Sequence, residues 1–259
     1  MDLGIAGRKA IVCASSRGLG KACARALAEA GCEVVMNGRS AATLEAAAAE
    51  IAKATGAKVT AVAADVATPQ GQEALLAACP APDILINNNG GPPFRDFREL
   101  TRQQMIDGVV ANMIVAVELI QKVIDPMTSR KFGRIVNITS GSVKMPLAGL
   151  DLSSGARAGL TAFLGGIARS VASSNVTINN ILPGAFDTDR LRGGLSKTAE
   201  QKRISVEEAA KARRAAIPAK RFGEPAEFGD ACAFLCSAQA GYITGQNLLI
   251  DGGTFNGAF

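Results

Sequence analysis

Short runs rich in β-branched and aliphatic residues alternate with alanine-rich segments along almost the whole chain, and this alternation is what most limits its fold. The β-rich runs lie at residues 9–14, 33–37, 58–63, 83–87, 133–139, 175–182 and 247–250. Helical spacing of apolar residues marks segments between them, such as 18–31, 41–55, 153–173 and 225–236. Because parallel strands are usually joined by helical crossovers, we predict an α/β fold: a doubly wound parallel sheet of about seven strands in a three-layer α/β/α sandwich.

The ends of the helical segments and the length of the chain agree with a single domain. Thr68-Pro69 is typical of a helix N-cap followed by a first-turn proline, and Gly31 and Gly56 fall where helices should stop. The 259 residues, 48% of them hydrophobic, suffice for a sizeable core, and no repeat or linker divides them. We therefore expect residues 1–259 to form one domain.

Composition argues against several classes of function. No apolar run approaches the roughly 18 residues of a membrane span, and the first residues lack the layout of a signal peptide, so we expect a soluble, cytoplasmic protein with no membrane contact. The chain has no histidine and its six cysteines form no CxxC pair, which indicates reduced core residues and no metal site. A net charge of +5 with 4% aromatic residues favours an anionic small ligand over nucleic acid.

The first β-rich run opens into a glycine-containing loop that precedes a helical segment. The loop reads Ala14-Ser15-Ser16-Arg17-Gly18-Leu19-Gly20. Its glycines allow the backbone and the amino end of the helix to approach a pyrophosphate, whose charge the unpaired N–H groups favour. A simple strand-to-helix turn is the alternative, but the strand before the loop and the helix after it favour a dinucleotide cofactor.

Further motifs follow in order along the chain: Asp65, Asn87-Asn88-Asn89-Gly90, Asn112 in the fourth helix, Ile138-Thr139-Ser140, Pro183-Gly184 with Thr188, and Tyr242-Ile243-Thr244-Gly245-Gln246 leading to Asp251-Gly252-Gly253. With residues 13–20, they make the chain resemble the short-chain dehydrogenase/reductase family, of the 3-oxoacyl-(acyl carrier protein) reductase kind. The resemblance implies a Rossmann-type fold and an oxidoreductase acting on a carbonyl or alcohol. It also implies cofactor contacts at Ser15, Ser16, Arg17, Gly18, Leu19, Gly20, Arg39, Asp65, Val66, Asn87, Gly90, Pro183, Gly184 and Thr188.

Two features of the cofactor segments bear on affinity and on cofactor choice. The family's loop, Thr-Gly-x-x-x-Gly-x-Gly, has Cys13 and Ala14 here in place of its first two residues, and the Ala14 methyl group in a tight turn predicts weaker binding. No acid follows the second β-rich run, whereas Arg39 there and Arg17 have the fork geometry that suits a 2′-phosphate. We predict NADP(H) over NAD(H), the alternative being two solvated surface arginines.

The proton-transfer part of the site departs from the family. The resemblance implies a tyrosine that donates the proton, a lysine four residues later, a serine and an asparagine. Ser140 and Asn112 match the last two. Counting along the chain, however, places Ser153 at the position of the tyrosine and Arg157 at the position of the lysine. The only tyrosine in the sequence, Tyr242, lies far from this position. We take Asn112, Ser140, Ser153 and Arg157 as the candidate catalytic residues, although a serine hydroxyl cannot act as the phenol does and an arginine keeps its proton.

Three possibilities remain open for this altered site. A water held by Ser153, Ser140 and Asn112 delivers the proton while the arginine stabilises the alkoxide, which we prefer. Alternatively, Lys144 or Asp151, between the two serines, acts as the acid, unless these are only solvated loop charges. In the third, the protein binds a nucleotide without redox chemistry, as a sensor or partner subunit.

The remaining expectations concern the substrate and the assembly. Residues 188–221, long and rich in Lys and Arg, are either a substrate lid that attracts an anion such as an acyl-CoA, an acyl carrier protein or a sugar acid, or a solvated amphipathic helix with ion pairs. The loop 89–94 is either a pocket wall or a turn before the next helix. From the resemblance we expect a homo-oligomer, a homotetramer or dimer, assembled through segments 101–127, 153–173 and 245–259.

Overall fold

The structure is a computed structural model that describes residues 2–92 and 94–257. Pro93, in the loop predicted as a pocket wall or turn, and residues 258–259, at the end of one predicted subunit contact, lie outside the described residues, as does Met1.

A parallel sheet forms the centre of the molecule, as predicted. Its strands, within the described residues, are β1 Lys9–Val12, β2 Glu33–Gly38, β3 Val59–Ala63, β4 Ile84–Asn87, β5 Gly133–Ile138, β6 Val176–Pro183 and β7 Asn247–Ile250. They lie in the order β3-β2-β1-β4-β5-β6-β7, and every pair of neighbours is parallel. The predicted strand at 9–14 ends two residues early, because Ala14 adopts a positive φ of 44° that no strand can continue through.

Helices cover both faces of this sheet. They are α1 Gly18–Glu29, α2 Ala41–Thr55, α3 Pro69–Ala78, α4 Arg102–Val109, α5 Val115–Ser129, α6 Asp151–Val171, α7 Asp189–Lys202, α8 Val206–Ala215 and α9 Pro225–Cys236. Helices α1, α2 and α9 contribute to the core on one face, and α3, α5 and α6 to the core on the other. The doubly wound α/β/α sandwich is therefore confirmed.

Strand periodicity explains why the chain builds two cores. Ala10 and Val12 of β1 belong to the core beneath α1, α2 and α9, whereas Ile11 between them belongs to the opposite core. Alternate side chains of a strand point to opposite faces, so a central strand covered on both sides is expected to be largely apolar. This requirement accounts for the continuous apolar runs in the sequence.

Capping residues set several helix ends where the sequence predicts them. The Thr68 side chain accepts a hydrogen bond from the Gly71 N–H with Pro69 in the first turn, and Gly56 ends α2 with a left-handed φ of 71°.

All six cysteines are buried and unpaired. Of the described helices, none combines the length and the apolar character needed to cross a membrane.

Residues 188–221 contain a helical hairpin made of α7 and α8. Leu195 and Ala199 of α7 pack against Ala209 and Ala210 of α8 in a small core separate from the two sheet cores. The outer surface carries ion pairs, including those of Arg192 with two nearby aspartates. The segment thus has the solvated, amphipathic character of one sequence alternative, and its role as a lid remains a prediction.

Candidate functional site

The candidate site lies where the strand order of the sheet reverses. From β1 the chain moves outward to β2 and β3, and then returns to the other side of β1 with β4. The carboxyl ends of β1 and β4 open there into the glycine loop and the Asn87–Gly90 segment. In open α/β sheets, ligands bind in the crevice at such a switch point.

Close packing holds the glycine loop against the β4 segment. The Asn88 side chain donates a hydrogen bond to the Ala14 carbonyl oxygen (3.1 Å). A Cβ at Gly20 would lie 2.8 Å from Asn88 Nδ2 and 3.0 Å from Ser15 Cα, so only glycine fits there. Gly18 has a positive φ of 59°, and Arg17, the N-cap of α1, gives the first turn no side-chain hydrogen bond. The first N–H groups of α1 therefore remain available to an anion.

The end of β2 carries amide and basic side chains but no carboxylate. The Asn37 side chain is occupied, because its Nδ2 donates to the carbonyl oxygens of Val62 (3.1 Å) and Ala64 (3.0 Å). Arg17 and Arg39 are both exposed, and the described part of the chain gives neither an ion-pair partner. This arrangement fits a 2′-phosphate better than a pair of ribose hydroxyls.

Several predicted cofactor residues have a structural contact of their own. Ser15 is fully buried, and its hydroxyl donates to the Val12 carbonyl oxygen (2.8 Å). Ser16 lies beside Gly38, where a Cβ would be 3.4 Å from its side chain. Leu19 is half-buried in the first turn of α1. Cofactor contacts at these residues remain a prediction, and the structure places them on the glycine loop and in the first turn of α1 that follows it.

The flanking predicted residues lie after β3 and β6. Asp65 is exposed and accepts a hydrogen bond from the Ala67 N–H (3.0 Å), whereas the Val66 side chain is buried. Thr188 caps α7 and faces the glycine loop, since a Cβ on Gly18 would lie 3.8 Å from the Thr188 methyl group. The loops after β1 and β6 therefore meet.

Two tight contacts fix the backbone next to these loops. At the end of β6, Pro183 is half-buried, and a Cβ on Gly184 would lie 2.6 Å from Asp251 Cβ, so the chain there requires glycine. At the end of β4, the Asn87 side chain donates to Asn137 Oδ1 (2.9 Å) and its own Oδ1 has no partner among the described residues.

Asn112 lies in a wide turn and not in a regular part of the fourth helix. Residues Val110–Ile114 form a π-helical turn that joins α4 to α5. Asn112 Nδ2 donates to the Gly108 carbonyl oxygen (3.0 Å), whereas the buried Oδ1 has no hydrogen-bond partner in the described structure. Wide turns of this kind are frequent at functional sites, and this one leaves Oδ1 free to accept a hydrogen bond from a ligand or water.

Ser153 and Arg157 meet on one face of α6. Arg157 Nε donates to Ser153 Oγ (3.3 Å), Nη1 to the Ile138 carbonyl oxygen (2.7 Å) and Nη2 to the Asn89 carbonyl oxygen (3.5 Å). The side chain is 7% exposed, and burial lowers the pKa of Arg157 to about 10, with a further contribution from the charge of Arg190. The guanidinium therefore remains a cation at neutral pH.

Ser140 lies at the end of β5 and begins a short 3₁₀ turn. Its Oγ accepts a hydrogen bond from the Ser142 N–H (3.1 Å), and the residue is half-buried. The two alternative acids have contacts elsewhere: the Lys144 ammonium lies 5.6 Å from the Phe255 ring, and the Asp151 carboxylate accepts the Gly149 N–H (3.0 Å).

Two cavities adjoin Asn112. The smaller, about 20 Å³, is lined by Asn87, Asn88, Asn89, Asn112, Asn137, Arg157 and apolar neighbours. Its volume is enough for one water molecule, and the polar side chains among its lining residues supply the partners that a buried water needs. The larger is a cleft of about 250 Å³ lined by Gly90, Gly91, Pro92, Arg95, Leu100, Gln104, Asp107, Gly108, Ala111, Asn112 and Leu152. Residues 90–92 thus form a wall of the cleft, as one sequence alternative expects.

Sequence reasoning missed three residues at this site. Asn88 and Asn89 stand in the recognised asparagine run, yet only the structure shows that one holds the glycine loop and the other contacts Arg157. Arg190, at the start of α7, donates from Nη2 to the Pro92 carbonyl oxygen (3.5 Å). The three consecutive asparagines were the available signal for the first two. Nothing in the sequence distinguishes Arg190 from the other basic residues of the hairpin.

The fold and the loop together define a class of protein. A doubly wound parallel sheet has a glycine loop, a free helix amino end and polar side chains at its switch point, all of which suit a dinucleotide. The class is therefore the dinucleotide-binding α/β proteins.

Comparison with known proteins narrows this class to one family. A family profile described as enoyl-(acyl carrier protein) reductase matches residues 13–254. The 3-oxoacyl-[acyl-carrier-protein] reductase of Vibrio cholerae is 34% identical over 257 residues, which are 98% of this chain and 99% of that protein. The NADPH-dependent reductase BacG of Bacillus subtilis is 31% identical, over 95% and 97% of the two chains. The chain belongs to the short-chain dehydrogenase/reductase family.

Solved structures agree with this assignment. The crystal structure of L-sorbose reductase from Gluconobacter frateurii, complexed with NADPH and L-sorbose, matches all of both chains with a TM-score of 0.94 and 28% identity. A crystal structure of a variant of actinorhodin polyketide ketoreductase with NADPH matches with a TM-score of 0.90 and 27% identity, over 96% of this chain and 97% of that one.

Proposed function

We propose that this protein is an NADP(H)-dependent oxidoreductase that reduces a carbonyl compound with a proton donor other than tyrosine. The observation that carries the proposal is the meeting of Asn112 and Arg157 at a small cavity, lined partly by polar side chains, beside the glycine loop. Relatives named as NADPH-dependent or NADPH-bound reductases, matched over nearly their whole length, support the class of reaction.

The residues present fit NADP(H). The amino end of α1 and the glycines at 18 and 20 would hold the pyrophosphate. The Arg17 side chain does not cap that helix, and the space at Gly20 is too small for a Cβ, so the backbone there can approach the phosphates. Arg17 and Arg39, free of ion pairs among the described residues, would hold the 2′-phosphate. When bound, the cofactor supplies a hydride to the carbonyl carbon of the substrate.

The protein's own residues account for the proton and for the charge on oxygen. A water in the 20 Å³ cavity donates one hydrogen bond to Asn112 Oδ1 and gives its other proton to the alkoxide that forms. Arg157 stabilises that alkoxide as a fixed cation and is held in place by its bonds to Ser153 and to two backbone carbonyls. Ser140 polarises the carbonyl, and solvent restores the proton to the water.

Two further roles belong to the same proposal. The hairpin at 188–221 acts as a substrate lid, supported by the contact of Arg190 with Pro92 at the edge of the cleft. The protein assembles as a homo-oligomer, a dimer or tetramer, supported by exposed apolar side chains on the expected segments, such as Phe163 of α6 and Leu248 of β7.

Nucleotide binding and turnover test the proposal separately. NADPH should quench or shift its fluorescence on binding and should bind more tightly than NADH. Loss of NADPH absorbance should then appear with at least one substrate from a panel of 3-oxoacyl thioesters, ketones, oxo acids and sugar lactones. Tighter binding of NADH than of NADPH would contradict the cofactor assignment. Nucleotide binding without turnover on the whole panel would favour the alternative of a sensor or partner subunit.

A further inference from the structure

Arg157 is a buried cation with no carboxylate partner among the described residues. Its three hydrogen bonds go to neutral oxygens, those of Ser153, Ile138 and Asn89. A guanidinium has five N–H groups, so two remain without a partner among the described residues. Buried charges in proteins are normally paired, because an unpaired charge loses its hydration without compensation.

A second guanidinium lies across the same short loop. Arg190 donates to the Pro92 carbonyl oxygen, three residues after the Asn89 carbonyl that Arg157 contacts. A Cβ at Gly91 would lie 2.8 Å from two nitrogens of the Arg190 guanidinium, which therefore packs directly on the loop. Burial lowers the pKa of Arg157, and the charge of Arg190 lowers it further, as expected for two cations close together.

Within the part of the chain that the structure describes, the nearby acids have other partners, and none of them forms an ion pair with Arg157 or Arg190. Asp187 and Asp189, the closest acids to Arg190 in sequence, both pair with Arg192. Asp107 of the cleft accepts a hydrogen bond from the Gln103 side chain (2.8 Å). Neither Arg157 nor Arg190 has an ion pair within the described residues.

We propose that the carboxylate of the substrate binds between Arg157 and Arg190, and that the substrates are small 2-oxo acids, reduced to 2-hydroxy acids. This inference rests on the proposed reductase function and specifies its substrate class. Arg190 is then a specificity-determining residue, because it contacts the carboxylate and not the reacting carbonyl.

The chemistry of a 2-oxo acid matches the free donors. Its carbonyl oxygen and one carboxylate oxygen are on adjacent carbons and can point the same way, so they match in number the two N–H groups of Arg157 that have no partner among the described residues. The second carboxylate oxygen is left for Arg190. The rest of the molecule would occupy the 250 Å³ cleft, which is smaller than the roughly 300–1,000 Å³ of pockets for drug-sized ligands and so favours a short side chain.

Binding of a non-reactive analogue tests the arginine pair directly. Oxamate is an isostere of a small 2-oxo acid, and oxamide is its neutral counterpart. Calorimetric titration of the full chain, with and without NADP⁺, should show oxamate binding more tightly than oxamide by roughly 10-fold or more. Arg190→Gln should weaken the binding of oxamate roughly 5-fold or more.

Arg213→Gln is the matched control, because it removes the same charge from an exposed position on the same hairpin. It should leave oxamate binding within about twofold of the unmodified protein. Equal binding of oxamate and oxamide, no oxamate binding, or equal effects of the two variants would overturn the inference. The inference would also be overturned if Arg190→Gln weakened NADPH binding and left oxamate binding unchanged. Arg190 would then bind an anionic group of the nucleotide and not the substrate carboxylate.

Turnover separates this inference from the proposed function. The value of kcat/KM for 2-oxobutanoate should exceed that for its methyl ester roughly 10-fold or more, and Arg190→Gln should reduce the difference mainly through KM. Neutral ketones and esters reduced as well as the acid would overturn the substrate class and leave the reductase intact. If no carbonyl compound is reduced, the reductase proposal fails, whereas the oxamate titration still decides whether the arginines bind a carboxylate.

Discussion

Gly20→Ala tests how closely α1 must approach the glycine loop. The new Cβ would lie 2.8 Å from Asn88 Nδ2 and 3.0 Å from Ser15 Cα, and still closer to the Ala14 carbonyl oxygen, whereas ordinary contact begins at 3.4 Å. Two of these neighbours are backbone atoms, and Asn88 is held by its hydrogen bond to Ala14. The first turn of α1 must therefore move away from the loop, since no flexible side chain can yield.

The size of the effect follows from two losses. Overpacking of a tight contact costs about 1–3 kcal/mol, and losing the Asn88 hydrogen bond costs about 1 kcal/mol more. For a chain of this size, each kcal/mol lowers the Tm by about 2–4 °C, so we expect a fall of about 5–15 °C. The dissociation constant of NADPH should rise more than about tenfold, because the N–H groups of the first turn no longer face the pyrophosphate.

Thermal denaturation and fluorescence titration measure the two effects, and Gly193→Ala is the control. Gly193 lies inside α7, is exposed and has open space where a Cβ would stand. The same methyl group should there stabilise the helix by about 0.8–1 kcal/mol and leave NADPH binding unchanged. A Gly20→Ala variant with the Tm and NADPH affinity of the unmodified protein would refute the claim that the loop and α1 are in close contact.

Three other outcomes are expected. Asn112→Leu should lower kcat roughly 10- to 100-fold with little effect on NADPH affinity, because it removes the oxygen that accepts a hydrogen bond from the proposed catalytic water. An unchanged kcat in steady-state assays would exclude that water. Arg39→Ala should raise the dissociation constant of NADPH about tenfold and leave that of NADH unchanged in fluorescence titrations, since it removes a partner of the 2′-phosphate alone. The pH profile of kcat/KM should be flat from about pH 6.5 to 9, because the chain has no histidine to titrate there. It should fall near pH 10, because burial lowers the pKa of Arg157 to about 10 and the guanidinium loses its charge above that pH. A bell-shaped profile centred near pH 7 would contradict a fixed cation.

The fold was predictable because each central strand is buried on both faces. A strand such as β4, with every residue buried, is apolar up to its last residue, Asn87, and such apolar runs are visible in the sequence. Helix ends at Thr68 and Gly56 are set by local hydrogen bonds and by a positive φ, which depend on a few adjacent residues. The π-helical turn at Asn112 was not predictable, because no proline or glycine marks it and helix packing decides where an extra residue is accommodated.

The candidate site was only partly predictable, for a similar reason. Spacing along the chain placed Ser153 and Arg157 four residues apart on a helix, and the structure brings their side chains within hydrogen-bonding distance. The role proposed for Arg190 depends instead on how the α7–α8 hairpin packs on residues 91–92. Every Lys and Arg of that hairpin is equivalent in a sequence, and only the packing of the hairpin selects the one that faces the site.

The fixed charge of Arg157 has consequences for how binding and catalysis divide between the two arginines. Interactions accelerate a reaction only if they are stronger in the transition state than in the bound substrate. A substrate carboxylate carries its full charge in both states, so its attraction to Arg190 lowers KM and leaves kcat unchanged. The carbonyl oxygen gains negative charge only as hydride arrives, and Arg157, already buried and oriented by three hydrogen bonds, meets that charge without reorganisation. On the proposed mechanism, a site without a tyrosine phenol therefore still has a preorganised cation for the step in which charge develops, and the proton itself comes from a weaker acid such as water.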